Sequence, residues 1–318
     1  MTNEGGPGFR VWRPGREVAV GATLATLRRG GGDPAYRLQP DGVVWRATRT
    51  PDGAALLRLE PRPADGEVLA HAWGPGAGWV LDGVPELLGA ADDPTGFVPR
   101  PEHPRLVAAW RARPGWRVPR TRAVFEALAA ACLEQRVTGK EAFAAWRGLV
   151  LRHGDVAPGP AGDAGTFATG MRVPPAAADW AAIPSWEWLR FGVEEARRRV
   201  VVLAAASAGR LEQTLDLTGD EAAKALRTVP GIGVWTAAEV RQRAHGDADA
   251  FSWADYHVAK NVSWALTGRV LDDAGCAPLV ECYRGHRYRV QRLLELDGAS
   301  RPRRGPRMTL PGHLPVVR

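Results

Sequence analysis

The stretch that decides the fold runs Leu226-Arg-Thr-Val-Pro-Gly-Ile-Gly-Val-Trp-Thr-Ala-Ala-Glu239. Two helical segments flank the turn Pro-Gly-Ile-Gly at 230–233, and so tight a turn leaves backbone N–H groups without partners at the start of the second helix. Those N–H groups and the helix dipole favour a phosphate oxygen. Glycine suits the turn, because a side chain would obstruct an approaching phosphate backbone and disfavour positive φ. An ordinary helix corner that only packs is the other interpretation.

Helical signals surround this stretch on both sides. Thr218 and Glu221 are spaced as a capping box before a helix at 222–228, and the second helix of the hairpin is expected at 234–244. Asp255 is expected as the N-cap of a further helix, with Gly268 just beyond its end. Apolar residues at helical spacing predict helices around 125–132 and 143–150, and further helices are expected at 187–208 and 286–296.

The first hundred residues follow a different pattern. Short alternating segments at 43–48, 54–60 and 67–73 are separated by turns of the Pro-Asp-Gly and Ala-Asp-Gly type. This pattern predicts an antiparallel sheet, with one helix at 84–88. The segment 92–104 carries four prolines and is expected to be a linker, and 158–170 is expected to be an exposed loop. The fold class is therefore α+β, with an N-terminal antiparallel β-domain at 1–100, an all-helical domain at 101–298 and a basic, Pro-rich tail at 299–318.

Composition excludes several classes of protein. The 318 residues carry a formal charge of +7, and only Lys140, Lys224 and Lys260 among the 42 basic residues are lysines. Arginine binds phosphate and stacks on flat surfaces, although a GC-rich genome would also favour it. The three cysteines cannot ligate a four-thiolate cluster. No apolar run is long enough to span a membrane, and the composition of Met1–Val20 leads us to expect no secretion signal. We therefore expect a reduced, cytoplasmic protein without a cofactor.

Segment 229–260 resembles the helix-hairpin-helix superfamily of DNA glycosylases, and within it the 3-methyladenine DNA glycosylase II branch. The matching elements are Pro-Gly-Ile-Gly-x-Trp-Thr-Ala at 230–237, a hydrophobic-acidic loop, and the pair Asp255-Tyr256 that opens the next helix. The runs Cys132-Leu-Glu-Gln-Arg-Val-Thr138 and Tyr283-Arg-Gly-His286 match in the same order. The likeness covers residues 105–297, and the N-terminal sheet is similar to the small β-domain that such enzymes carry.

The resemblance implies an enzyme that turns a damaged nucleotide out of the duplex and cleaves the base–sugar bond. Asp255 is then the catalytic residue, since a fixed carboxylate stabilises the positive charge that develops on the sugar and activates water. A simple helix cap is the alternative role for Asp255. Trp235 stands where bifunctional relatives carry a Schiff-base lysine. Because an indole forms no imine, we expect a monofunctional glycosylase that leaves an abasic site.

A base pocket is expected from residues near Asp255. Trp235 would stack on the base or pack in the core. Glu239 and Arg292 stand where the best-known members have aromatic residues, so this pocket is expected to be more polar. Glu239 would pair with a cationic base, form a salt bridge with Arg292 or face solvent. The full expected set is Trp235, Glu239, Trp253, Tyr256 and Arg292.

DNA contacts are expected around the hairpin. Arg136 stands where a family member inserts an apolar wedge, and would fill the gap beside Gln135 or contact a phosphate. The expected DNA-binding residues are Gln135, Arg136, Gly231, Gly233, Thr236 and Arg284. No metal site built from side chains is expected. The resemblance implies at most a monovalent cation on the backbone carbonyls of Arg227, Val229 and Gly231.

Together these observations predict a monomeric, cytoplasmic, nucleoid-associated bacterial enzyme of base excision repair. Its partner would be double-stranded DNA that contains a damaged base, and no membrane. The expected base is an alkylated purine similar to 3-methyladenine. One alternative is a deaminated or oxidised base. Another is a non-catalytic module that binds damaged DNA, which would have no reason to keep Asp255 beside Tyr256.

Overall fold

The computed structural model describes residues 8–302, which form an antiparallel sheet and a mostly helical remainder. The sheet has five strands in the order β1-β5-β4-β3-β2, and all neighbours are antiparallel. The α+β class and the N-terminal sheet are therefore confirmed. The strands are β1 (Gly8–Trp12), β2 (Tyr36–Leu38), β3 (Val44–Thr50), β4 (Gly53–Arg62) and β5 (Glu67–Trp73).

Helices make up most of the remaining described residues. They are α1 (Val20–Leu24), α2 (Ala77–Asp82), α3 (Val84–Leu87), α4 (Pro104–Arg111), α5 (Val124–Leu133), α6 (Gly139–His153), α7 (Ala177–Ala182), α8 (Ser185–Arg190), α9 (Glu195–Ala205), α10 (Ala208–Glu212), α11 (Gly219–Leu226), α12 (Val234–Val240), α13 (Val258–Thr267), α14 (Asp273–Glu281) and α15 (Arg287–Leu296). A π-helical turn, Arg241–His245, extends α12, and β6 (Asp155–Val156) pairs with β7 (Arg172–Val173).

The sheet is covered on both faces. Side chains such as Leu57 and Leu59 of β4 pack with α1, α2 and α3 on one face. On the other face, Leu56 packs against Ala161 and Met171 from segment 155–173. The exposed loop expected at 158–170 is largely confirmed, since most of its residues are exposed and only Ala161 and Ala168 are buried. These two alanines belong to the apolar cluster on this face of the sheet.

Helix α5 lies at the centre of the helical part. Its sequence is apolar on every side, as expected for a buried helix, and all of its residues except Glu126 are buried. Glu126 instead faces the sheet, where its carboxylate accepts hydrogen bonds from Arg46 Nη2 and Thr48 Oγ1, both at 2.6 Å. At the N-terminal end, the Glu212 carboxylate accepts the backbone N–H groups of Val124 and Phe125. Polar contacts thus fix both the sheet and α10 against this apolar helix.

The helices pack around two cores. In the first, α5 contacts α9 and α12. In the second, α4 contacts α13 and α15. Because α12 and α13 belong to different cores, the loop 246–257 that joins them connects the two. This loop carries Asp255.

The predicted helices are found with two main differences. The single helix expected at 187–208 is wrong, because α8 ends at Arg190, the chain turns at Gly192 with a φ of +74°, and α9 and α10 follow. Helices α1, α2, α4, α7 and α14 were not predicted, and Pro278 lies inside α14. Gly268 ends α13 with a φ of +74°, as expected.

The segment expected as a linker, 92–104, lies against the second core. Phe97 is buried there, and Asp92 forms a buried ion pair with Arg289 of α15. It is therefore packed rather than free, and the boundary between domains at residue 100 stays a prediction. Within residues 8–302, no helix is both long and apolar enough to cross a membrane. Most of the expected tail, 303–318, lies outside the described residues.

Candidate active site

The hairpin consists of α11, the turn 230–233 and α12. Only Gly231 requires glycine's conformational freedom: its φ is +92°, and a Cβ there would lie 2.3 Å from Cγ2 of Val200. Gly233 has a φ of −90° and open space around it, so the expected need for positive φ does not apply there. Ile232 is buried in the first core while both glycines are exposed. The turn therefore packs on one side and leaves a small, open surface on the other.

Asp255 is held from both sides. Its Oδ2 accepts the indole N–H of Trp235 at 3.0 Å. Its Oδ1 accepts the backbone N–H groups of His257 at 2.7 Å and Val258 at 2.9 Å, the latter at the first residue of α13. Asp255 thus contributes the helix-capping contact expected of it, although His257 is the N-cap by backbone geometry. The same contacts fix the half-buried carboxylate beside the hairpin helix, as electrostatic stabilisation of a transition state requires.

Two residues with strained backbone flank this site. Ala254, directly before Asp255, has a φ of +63°, and Arg136 has a φ of +57°. Each such conformation costs roughly 1–2 kcal/mol for a residue other than glycine. Ala254 is secured by its backbone N–H, which donates to Asp273 Oδ2 at 2.7 Å. Strain of this kind often occurs where a loop must hold a functional side chain in place.

Gln135 connects the loop after α5 to the hairpin. Its Nε2 donates to the carbonyl of Gly231 at 3.1 Å and to Thr236 Oγ1 at 2.9 Å. Thr236 is only 2% exposed, so its side chain holds this loop and does not face the surface. The expected DNA contact at Thr236 stays a prediction. The neighbouring Arg136 is exposed at the tip of the loop.

Glu239 lies one helical turn after Trp235 and is buried. Its Oε2 pairs with Arg243 Nη1 at 2.7 Å, and its Oε1 accepts the hydroxyl of Ser252 at 2.7 Å. Arg292 instead pairs with Glu295 of its own helix. The expected alternative of a Glu239–Arg292 salt bridge is thus wrong. A charge pair four residues apart on one helix satisfies Glu239 more directly than a partner on α15.

Two further aromatic residues expected in the base pocket, Trp253 and Tyr256, lie on either side of Asp255 in the sequence. Tyr256 is 71% exposed, and Lys260 Nζ lies 4.1 Å from the centre of its ring. Trp253 packs on Phe251, with ring centroids 4.3 Å apart, at the edge of the second core. Tyr256 thus lies on the surface beside Asp255 and Trp253 packs at the edge of a core, and their place in a base pocket stays a prediction.

The roles expected of Arg284 and of the hairpin carbonyls stay predictions. Arg284 is exposed and pairs with Glu281 one turn earlier. The carbonyl of Gly231 accepts Gln135 Nε2, and that of Val229 accepts the N–H of Ile232. Two of the three carbonyls expected to bind a monovalent cation therefore already have donors, and the cation stays a prediction. Residues 8–302 contain no group of three or more acidic, His or Cys side chains arranged to hold a metal ion.

The sequence did not reveal a set of charges, three buried and one half-buried, on and beside the helix that carries Trp235. We term it the inner charged cluster: Arg29, Glu134, Glu239 and Arg243. Arg29 Nη1 lies 3.0 Å from Glu134 Oε1, and Arg243 Nε donates to the carbonyl of Thr26 at 3.1 Å. The spacing of Glu239 and Arg243 could have indicated their pair. Nothing in the sequence indicates that Thr26 and Arg29 approach the hairpin helix.

Burial and the neighbouring carboxylates shift the pKa values of the two arginines in this cluster in opposite directions. Burial lowers the pKa of the Arg243 guanidinium, but the carboxylates of Glu239 and Glu134 outweigh it and raise that pKa above its ordinary value. Burial lowers the pKa of Arg29, and Glu134 partly offsets the shift. Arginine keeps its proton in either case. Both guanidinium groups therefore remain charged inside the protein.

Several solved structures share the fold. A 3-methyladenine DNA glycosylase from Archaeoglobus fulgidus superimposes with a TM-score of 0.73 at 18% identity, covering 91% of this chain and 98% of that chain. An 8-oxoguanine glycosylase/lyase from Clostridium acetobutylicum, bound to DNA, superimposes with a TM-score of 0.66 at 11% identity over 91% and 95% of the two chains. Its apo form gives 0.65 at 12% identity over 92% and 98%.

The sequence itself shows no such match. No protein-family model matches it, and no curated protein sequence is significantly similar to it. The chain nevertheless has the α+β fold of these DNA glycosylases, in agreement with the resemblance that its motifs indicate.

Proposed function

We propose that this chain is a monofunctional DNA glycosylase of base excision repair, which turns a damaged base out of duplex DNA and hydrolyses its N-glycosidic bond. The observation that carries the proposal is the Asp255 carboxylate, held between the Trp235 indole and the first amides of α13. It lies beside a hairpin whose exposed glycines leave room for a phosphate backbone. The shared fold supports the same proposal.

The reaction places charge where Asp255 can stabilise it. The bond between C1′ and the base nitrogen breaks, and its electron pair leaves with the base, so positive charge develops on the sugar. The Asp255 carboxylate stabilises this cation and orients a water molecule. The water oxygen bonds to C1′, and its released proton goes to the carboxylate and then to solvent or to the departing base. The products are a free base and an abasic site.

The absence of lyase chemistry rests on Trp235. An indole offers no amine to attack C1′, so water is the nucleophile. The chain has only three lysines, and Lys260, the one near the site, lies over the ring of Tyr256. One fold neighbour is named a glycosylase/lyase, which makes this a point for experiment.

The proposed substrate is duplex DNA that contains a damaged base, with two candidate classes. An alkylated purine follows from the sequence resemblance. A deaminated or oxidised base is favoured by the buried pair Glu239–Arg243, because this side of the site is polar and charged. A non-catalytic binding module would explain the hairpin but not the three donors that hold Asp255.

The test uses duplexes that each contain one modified base, incubated with the protein and then with or without alkali. Wild type should yield strand breaks only after alkali, and Asp255→Asn should lower base release by about a hundredfold or more. Asp272→Asn is the matched control, since Asp272 caps the neighbouring helix α14 through the N–H of Gly275. Breaks without alkali would contradict the monofunctional assignment. Release from no duplex, with DNA still bound, would favour the binding module.

A further inference from the structure

The face of α12 that carries Trp235 continues into the inner charged cluster. Trp235, Glu239 and Arg243 follow each other at four-residue intervals, so they lie along one side of the helix and its π-helical extension. The Glu239 and Arg243 side chains keep exposed fractions of 10% and 11%. A base turned out beside Asp255 would meet this face directly after Trp235.

The cluster is also joined to the loop that carries Asp255. Ser252, three residues before Asp255, donates its hydroxyl to Glu239, and its backbone N–H donates to Gln291 Oε1 at 3.0 Å. Gln291 Nε2 in turn donates to Ser252 Oγ at 3.0 Å. The position of Glu239 and the position of the catalytic loop are therefore set by the same hydrogen bonds.

Thr26 and Arg29, which precede β2, lie on the other side of the cluster from α12. The Thr26 carbonyl accepts Arg243 Nε, and Arg29 pairs with Glu134, the residue before Gln135. Tyr288 of α15, only 1% exposed, lies beside Thr26 in the same buried region.

The charges of the cluster already balance each other. Glu239 pairs with Arg243 and Glu134 with Arg29, so neither carboxylate is left to compensate a further cation. A cationic base placed against this face would remain uncompensated in a poorly hydrated environment, which is unfavourable. An uncharged base would add no net charge, and its polar edge would find donors and acceptors there.

The change of charge on the base as the glycosidic bond breaks also favours an uncharged base. A cationic N-alkylated purine leaves as a neutral molecule when the glycosidic electron pair moves to it. An uncharged base takes the same electron pair and gains negative charge until it is protonated. A buried, permanently charged guanidinium such as Arg243 stabilises that developing charge and would oppose a bound cation.

We infer that the inner charged cluster selects an uncharged damaged base, of the oxidised or deaminated type, over a cationic N-alkylated purine. The segment that contains Thr26 and Arg29, before β2, contributes to this selection. The inference rests on the proposed glycosylase function and specifies its substrate class.

The test compares duplexes of one sequence that contain 8-oxoguanine, hypoxanthine or 7-methylguanine, each treated with excess wild-type protein. Rates are divided by the spontaneous release rate of each base, since the cationic base is intrinsically labile. We expect at least one uncharged base to be released with an acceleration about tenfold or more above that of 7-methylguanine. Preference for 7-methylguanine would overturn the inference and leave the glycosylase function standing. Release of no base would overturn both.

A pair of variants tests the residues themselves. In Glu239→Gln/Arg243→Met the buried ion pair is replaced by neutral groups of similar size, which avoids an unpaired charge. We expect this variant to lose the preference for the uncharged base while it still binds abasic duplex DNA. Arg241→Gln/Asp247→Asn is the matched control, because that ion pair lies on the same segment outside the cluster. An equal loss of base preference in the two double variants would contradict the inference. If Glu239→Gln/Arg243→Met does not fold, the comparison of bases with the wild-type protein tests the inference.

Discussion

A single indole N–H determines where one oxygen of the Asp255 carboxylate lies. Trp235→Phe removes this donor and keeps an aromatic ring on the same helix face. A hydrogen bond to a charged group contributes about 1.5–3 kcal/mol, so we expect the maximal rate of base release to fall roughly ten- to a hundredfold. Affinity for abasic duplex DNA should not change. Single-turnover kinetics measure the rate, with Trp186→Phe, an exposed tryptophan of α8, as the control. An unchanged rate would show that Trp235 does not orient the carboxylate.

The two glycines of the hairpin turn should respond differently to alanine. Gly231→Ala forces a side chain into the left-handed region and against Val200, so we expect a loss of about 1–3 kcal/mol in the free energy of unfolding. Gly233→Ala should leave stability within about 0.5 kcal/mol of wild type. Urea unfolding measures both changes. If a phosphate approaches this turn, Gly233→Ala weakens DNA binding all the same. Equal destabilisation by the two variants would contradict the described turn.

Among the structural elements, the π-helical turn after α12 carries a buried histidine. Burial, with Arg241 nearby, lowers the pKa of His245 to about 4, and its Nε2 lies 3.0 Å from Thr214 Oγ1. The unfolded chain, with an ordinary histidine pKa near 6.5, therefore binds more protons between about pH 6.5 and 4. The free energy of unfolding should fall as the pH decreases through this window.

The variant His245→Gln isolates this contribution from other titrating groups. Between pH 7 and 4 it should lose roughly 2 kcal/mol less of its free energy of unfolding than wild type does. Guanidinium unfolding of both proteins at several pH values measures the difference. Parallel pH profiles would indicate that His245 titrates normally in the folded protein.

Elements defined by neighbouring residues were predictable from the sequence. Thr218 and Glu221 form their capping box because the contact joins residues three positions apart. Contacts that depend on distant chain segments were not. Arg243 donates to Thr26 across 217 positions, and no local pattern specifies that approach. The hairpin and the position of Asp255 were therefore predictable, whereas the polar environment behind Trp235 required the three-dimensional structure.

Across the whole molecule, buried ion pairs join the sheet side to the helices. Asp92 and Arg289 have exposed side-chain fractions of 2% and 0%, and the carboxylate binds both terminal nitrogens of the guanidinium at 3.0 and 2.6 Å. Arg46 of β3 likewise pairs with Glu126 of α5. These contacts lead us to expect that the described parts unfold together.

Removal of one member of the Asp92–Arg289 pair leaves a buried charge without compensation. Asp92→Asn should lower the free energy of unfolding by about 3–5 kcal/mol, with one cooperative transition in calorimetry. The neighbouring exposed residue gives the control, Asp93→Asn, which should leave stability close to that of the wild type. Two separate transitions in the wild-type protein would contradict the coupling of its parts.

The left-handed backbone of Ala254 implies a compromise between the stability of the protein and its rate of base release. Glycine adopts a φ of +63° without steric penalty, so Ala254→Gly should raise the free energy of unfolding, by up to about 1 kcal/mol. Because glycine also makes the backbone directly before Asp255 more flexible, base release should become slower. Thermal unfolding and single-turnover rates would then move in opposite directions. Selection for heat resistance alone would therefore favour glycine at position 254, and the alanine found there is expected to persist where repair speed limits survival.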